Sequence, residues 1–165
     1  MTDLSYARNQ RDENTAILAL DVRGWNCAWA IYSEAKPLFW GRLGARDHKD
    51  GKPVPQSTKI AGLFRSLLEA VADHDVSVVV TEVKANPGPI WSIPPLLAAT
   101  LNTRYAELRD WIDELDADRM TIRSWATVTT GKPVEDELVA NAIGLAVSAI
   151  KLLNRQRMGT QELVW

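Results

Sequence analysis

Apolar residues fill positions 16–20 without a break and stop at Asp21. Residues 25–32 and 38–43 are rich in aromatic and aliphatic side chains, and the segments 22–25 and 33–37 supply turn residues between the three stretches. Runs of this length bounded by turns read as strands, and three in close succession predict an antiparallel meander. Gly44, Gly51, Pro53 and Pro55 make residues 44–56 a loop. Ser57 or Thr58 then caps a helix whose apolar positions Ile60, Leu63, Phe64, Leu67, Leu68 and Val71 recur at helical spacing. Residues 76–80 are valine at four of five positions, the mark of a strand buried on both faces, and the run ends at Thr81-Glu82. The breakers Asn86-Pro-Gly-Pro and Pro94-Pro95 predict irregular structure. Residues 96–115 read as one long helix, 120–122 as a short strand, 129–133 as a loop and 134–153 as the last helix.

This order, β-β-β-α-β-α-β-α, defines an α/β chain. Strands joined through helices run parallel within one sheet, and the opening meander is antiparallel, so the expected product is a five-stranded mixed sheet flanked by helices. With 165 residues the chain suits a single domain, expected over 15–157 between a polar arm (1–14) and a tail (158–165). Nineteen Lys and Arg against 21 Asp and Glu exclude a general basic coat for nucleic acid but leave a local basic face open. The single Cys27 excludes a disulfide scaffold or a zinc ribbon and fits a reducing, cytoplasmic setting. Residues 1–14 lack the apolar stretch of a secretory signal, and no apolar run approaches the roughly 18 residues of a membrane span, so no membrane partner is expected.

Asp21 and Glu82 close two strands expected to be buried neighbours. If those strands are parallel, both carboxylates emerge at the carboxyl edge of the sheet, where α/β folds place their sites. Two carboxylates brought together repel, and a proton or a cation must sit between them; an all-oxygen site suits Mg²⁺ or Mn²⁺. The alternative is that each acid faces solvent where its strand ends. Similarly, Pro133-Val-Glu135-Asp136-Glu137 has the proline and the acids that a helix start favours, which accounts for two of the three acids. Glu137 and Asn141 share a helix face, and Ala142, Gly144, Ala146 and Ala149 follow as a small-residue face that can lie close to a sheet. A polar Asn141 in that face is either satisfied by a backbone group or part of a site.

Asp21, Glu82 and the helix reading Ala140-Asn141-Ala-Ile-Gly-Leu-Ala-Val, preceded by Val128-Thr-Thr-Gly-Lys132, resemble the RuvC-type Holliday-junction resolvases of the RNase H-like superfamily. The likeness runs over residues 16–154. That family has an Asp on its first strand, a Glu on its fourth, and a D-x-x-D-A-L-A-like helix. Here Asn141 stands where the last Asp is expected and Leu138 where the preceding acid is expected, with Glu137 one residue off. Either Glu137 takes over as ligand, or the site is weakened, or the chain is an inactivated Asp→Asn form.

The resemblance implies an RNase H-like fold and a metal-dependent, structure-selective endonuclease for branched DNA, working as a homodimer in the cytoplasm of a bacterial or phage-infected cell, at the nucleoid. It implies two Mg²⁺ or Mn²⁺ ions, with Asp21 bridging both, Glu82 holding one, and Glu137 with Asn141 completing the other. An alternative is the same fold with a crippled site, binding branched DNA without cutting it. An actin-type ATPase is disfavoured by the short chain and by Asp21-Val-Arg-Gly24, a poor phosphate loop.

For DNA contact, Lys84, Arg104, Arg123 and Lys132 are expected to flank the acidic edge, and Trp91 either stacks on an unpaired base or anchors its loop. Lys36, Arg42, Arg46, Lys49, Lys52, Lys59 and Arg65 outnumber Asp47 and Asp50 in their stretch, a phosphate-binding face or a solvated loop. His48 and His74 read as surface residues. Trp111, on the expected long helix, is a candidate for a two-fold interface.

Overall fold

The computed structural model describes residues 16–33, 36–85 and 87–157; the expected polar arm and tail lie outside the described residues. The chain runs β1 (Ala16–Arg23), β2 (Asn26–Ser33), β3 (Lys36–Gly44), a small hairpin of β4 (His48–Lys49) and β5 (Lys52–Pro53), α1 (Gln56–Val71), β6 (Val76–Glu82), a 3-10 turn (Pro89–Ser92), α2 (Ile93–Thr100), β7 (Arg104–Leu108), a second 3-10 turn (Trp111–Glu114), α3 (Ile122–Thr130) and α4 (Glu137–Arg157). The main sheet has five strands in the order β3-β2-β1-β6-β7. Its first three strands are antiparallel, and β6 pairs parallel with both β1 and β7. Gly24, at φ +57°, gives the backbone freedom for the two-residue reversal between β1 and β2.

Helices cover both faces of the sheet. On one, Ile17, Ala19, Ala28, Ala30, Val78 and Val80 pack under α4; on the other, Leu18, Leu20, Val22, Cys27, Ile31 and Val79 pack under α1 and α2. The strict alternation along β1 follows from the two-residue period of a strand. Alanines at 19, 28 and 30 meet Ala142, Ala146 and Ala149 of α4, all fully buried. Small residues on both surfaces let the helix lie close to the sheet, which brings its side chains within reach of strand-end groups.

Five expectations are corrected. Neither Ser57 nor Thr58 caps α1, which already begins at Gln56 after Pro55 and has no side-chain cap. Residues 96–115 are not one helix. Their apolar spacing fits a helix, yet α2 stops at Thr100, Asn102 turns the chain at φ +52°, and Arg104–Leu108 forms the edge strand β7, with Ala106 and Leu108 inward. The fifth strand is therefore β7 and not 120–122, where Thr121 caps α3 by accepting a hydrogen bond from Ser124 N at 3.1 Å. Pro94 and Pro95 belong to the first turn of α2, where a missing N–H costs no intrahelical bond. Lastly, Glu137–Arg155 of α4 is long and apolar enough to cross a membrane, contrary to the sequence estimate, but it is mostly buried as the core helix of this domain.

Gly144 of α4 sits directly against Trp111, and a β-carbon there would run into the Trp111 ring and press on Leu115. Gly144→Ala is thus expected to lower stability by about 1–3 kcal/mol, the usual cost of overpacking, despite alanine's better helix propensity. Urea denaturation of the two proteins measures it; an unchanged midpoint would mean that the Trp111 turn yields freely.

Candidate active site

The parallel register pairs Ala19 with Val80. Two residues further on, β1 carries Asp21 and β6 carries Glu82, on the face covered by α4. Asp21 is fully buried although β1 continues to Arg23, whereas Glu82 is half-buried as the last residue of its strand. The start of α4 crosses this point. Asn141, one turn into the helix and itself buried, donates its Nδ2–H to Asp21 Oδ2 at 3.0 Å. The polar residue in the small face thus serves a strand carboxylate across 120 residues of chain.

Each carboxylate also has its own cation. Arg23, two residues beyond Asp21 on the same strand, brings Nε to 3.5 Å from Oδ2. Lys84, two residues beyond Glu82, brings Nζ to 2.8 Å from Oε1, and Trp111 donates its indole N–H to Oε2 at 3.1 Å. Asp21 Oδ1 is buried without a hydrogen-bond partner.

These surroundings pull the two acids apart. Burial pushes the Asp21 carboxyl above the ordinary range, against the Asn141 hydrogen bond and the Arg23 charge, and the neighbouring Glu82 charge adds to the rise. Burial also opposes ionisation of Glu82, but hydrogen bonds from Lys84 and Trp111, with the Lys84 and Arg23 charges, outweigh it and hold that carboxyl below its usual range. The nearby Cys27 thiol is pushed up to about 12, first by burial and then by the Asp21 charge, so it supplies no thiolate nucleophile.

Glu137, the remaining expected ligand, and its neighbouring acids are placed differently. Glu137 is exposed in the first turn of α4. Asp136 caps α4: its Oδ1 accepts from Leu138 N at 2.9 Å and Val139 N at 3.4 Å, while Oδ2 meets Arg42 of β3 at 2.7 Å. Glu135 is exposed, and its carbonyl oxygen accepts from Arg123 at 3.5 Å. Leu138, where the resemblance expects an acid, packs against the core.

Of the basic residues expected at the acidic edge, Lys84 is on Glu82 itself and its Nζ lies 5.8 Å from the Trp91 ring centre. Lys132 lies over the Trp40 ring at 5.6 Å, and Arg123 is in the first turn of α3. Arg104 is misplaced by that expectation. It starts β7, four residues before Leu108, the partner of Glu82, and so lies about 13 Å back along the strand toward the opposite edge. The error follows from the helix assigned to residues 96–115. Trp91 is half-buried against the core, as an anchor would be, and also lines a cleft of about 370 Å³ that opens beside Glu82.

Sequence reasoning missed Arg23 and Trp111. Arg23 was findable, since it is two residues from Asp21 on one strand and so on the same face. Trp111 was not: it is buried over Gly144 and bonded to Glu82, which also removes it as a candidate interface residue.

Among the described residues no group of three or more His, Cys, Asp or Glu side chains is arranged to hold a metal ion. The buried, partnerless Asp21 Oδ1 beside a second carboxylate is nonetheless a fitting donor pair for one hard cation, while the Asn141 amide is committed to Asp21 Oδ2 as a donor.

No protein-family model and no curated protein sequence matches the chain. Solved structures do. RuvC of Thermus thermophilus in complex with a Holliday-junction substrate aligns over 88% of this chain and 97% of its own, at a TM-score of 0.68 and 11% identity. A second Thermus thermophilus RuvC structure aligns over 88% and 98% at TM-score 0.63 and 12% identity. The Fowlpox virus resolvase, solved with Holliday-junction DNA, aligns over 84% and 99% at TM-score 0.51 and 17% identity. The fold is RNase H-like, in the form taken by RuvC-like resolvases.

Proposed function

We propose that this chain is a structure-selective nuclease for branched DNA that hydrolyses phosphodiester bonds with Mg²⁺ or Mn²⁺ held at Asp21 and Glu82. One observation carries the reading: two carboxylates side by side at the carboxyl ends of parallel neighbours, one of them buried with a partnerless oxygen, on a fold shared with resolvases solved on junction DNA. Bound divalent ions supply an activated water and stabilisation of the leaving 3′-oxygen. Asp21 and Glu82 bind and orient that charge. Asn141 fixes the Asp21 carboxylate, Trp111 fixes that of Glu82, and Lys84 with Trp91 offers a cation and an aromatic face to the strand beside the site. A full pair of ions needs a ligand beyond these; Glu137, one turn before Asn141, is exposed and is not assigned that part. A four-way junction has two-fold symmetry, so a homodimer suits it.

A second reading has its own support. The Asn141 amide, in place of a carboxylate, already satisfies Asp21 Oδ2, and Leu138 supplies no charge. Such a site is weakened, and its extreme is a module that binds branched DNA without cutting.

The test is incision of an end-labelled four-way junction, against a linear duplex of the same sequence, with Mg²⁺, Mn²⁺ or chelator. Metal-dependent incision confined to the junction is expected. Equal binding to both DNAs with no incision would remove the proposal, and junction-selective binding without incision would favour the second reading.

A further inference from the structure

Lys84 is held more firmly than a surface lysine. The Val83 N–H bonds to the Leu108 carbonyl at 3.0 Å, which pins the chain just before it. Its ammonium is 2.8 Å from Glu82 Oε1 on one side and 5.8 Å from the Trp91 ring centre on the other, at the mouth of the cleft beside Glu82. Arg23 is the matching cation for Asp21, but at 3.5 Å and on the oxygen that Asn141 also serves, leaving Oδ1 untouched. The two acids are therefore balanced by two side-chain cations. Both Glu82 oxygens are already taken, Oε1 by Lys84 and Oε2 by the Trp111 indole N–H, and only Lys84 brings a charge that opposes a divalent ion there.

We propose that Lys84 is a built-in counter-ion that occupies the Glu82 side of the site in the metal-free protein and exchanges with a divalent cation. This inference rests on the proposed metal-holding role of Asp21 and Glu82. Two cations cannot share one carboxylate oxygen at contact distance without strong repulsion, so binding the ion displaces the ammonium. The open cleft beside Trp91 gives the side chain a place to move, where it can meet a DNA phosphate. The exchange lets the chain fold with its acids balanced, at the cost of weaker metal affinity.

Mn²⁺ titration followed by electron paramagnetic resonance of the free ion, on the whole chain at neutral pH, tests this with Lys84→Met, Lys84→Arg and Asp21→Ala. Methionine keeps an apolar stem of similar length and removes the charge. Lys84→Met is expected to bind Mn²⁺ about two- to fivefold more tightly, the scale of losing a partly exposed competing ion pair. Lys84→Arg, which keeps the charge, should bind like the parent, and Asp21→Ala should abolish binding. Thermal melts without metal establish that each variant is folded. If Lys84→Met binds no more tightly than the parent while Asp21→Ala still abolishes binding, the exchange is wrong and the metal reading stands. Absence of Mn²⁺ binding by the folded parent and by Lys84→Met would overturn both.

Discussion

Asp21→Asn is expected to abolish metal-dependent incision, by about three orders of magnitude or more, the scale of losing a group that organises transition-state charge. Binding to the junction should be retained or slightly tightened, because one negative charge near the phosphates is gone. The same substitution has a second, independent signature. The Asp21 carboxyl is raised in the folded chain, chiefly by burial, so the folded state holds this proton more tightly than the unfolded state. Its contribution to stability falls as pH rises from the ordinary carboxylate value through the raised one, and above that interval the buried ionised group is a standing cost. Asparagine removes the cost while its amide oxygen can still accept from Asn141. The Asn variant should therefore melt higher than the parent at pH 7, with the gap closing as pH falls below the ordinary carboxylate range. Incision assays, junction-binding isotherms and melts across pH measure the three effects. An Asp21→Asn protein that is less stable and no longer binds would make Asp21 a structural residue.

The parts of this picture legible in the sequence were those with strong local signals. The run of valines in β6 and the apolar run of β1 each led to a strand-end carboxylate, and both strands are central in the sheet. The small-residue face of α4 was visible as Ala142, Gly144, Ala146 and Ala149, and the structure shows why it is small: three sheet alanines lie beneath it. What local pattern did not yield was the segment between α2 and α3. There Leu97, Leu101, Tyr105 and Leu108 keep a helical spacing, and tertiary pairing with β6 overrides it to form an edge strand. Misreading that segment displaced Arg104 and hid Trp111, since a tryptophan on an exposed helix and one capping a core helix look alike in sequence. Asp136 illustrates the opposite case. Its acid could be read as ligand or as helix start, and its bonds to Leu138 N, Val139 N and Arg42 commit it to the helix start.

Asn141→Asp is expected to raise metal-dependent incision by about tenfold or more, since it adds an anionic ligand to a site for a hard cation. The geometry sets the conditions. The Asn141 amide now stands 3.0 Å from Asp21 Oδ2 as a donor. A carboxylate in its place is a buried like-charge neighbour, which must be relieved by a shared proton or by a cation. Without metal the variant should be less stable than the parent by about 1–3 kcal/mol, the cost of unmaking a buried hydrogen bond. Mn²⁺ should restore more stability to it than to the parent, because an ion that binds only the folded state stabilises in proportion to its affinity. Glu137→Gln provides the contrast. Glu137 is exposed, so its loss should change incision less than about threefold, as for a surface charge near a phosphate path. A large loss in Glu137→Gln, with little gain in Asn141→Asp, would instead identify Glu137 as the ligand that replaces the missing acid. If Asn141→Asp binds Mn²⁺ more tightly and still leaves the junction uncut at every Mg²⁺ or Mn²⁺ concentration, the chain is a binding module, and the added charge should only weaken junction affinity slightly through phosphate repulsion.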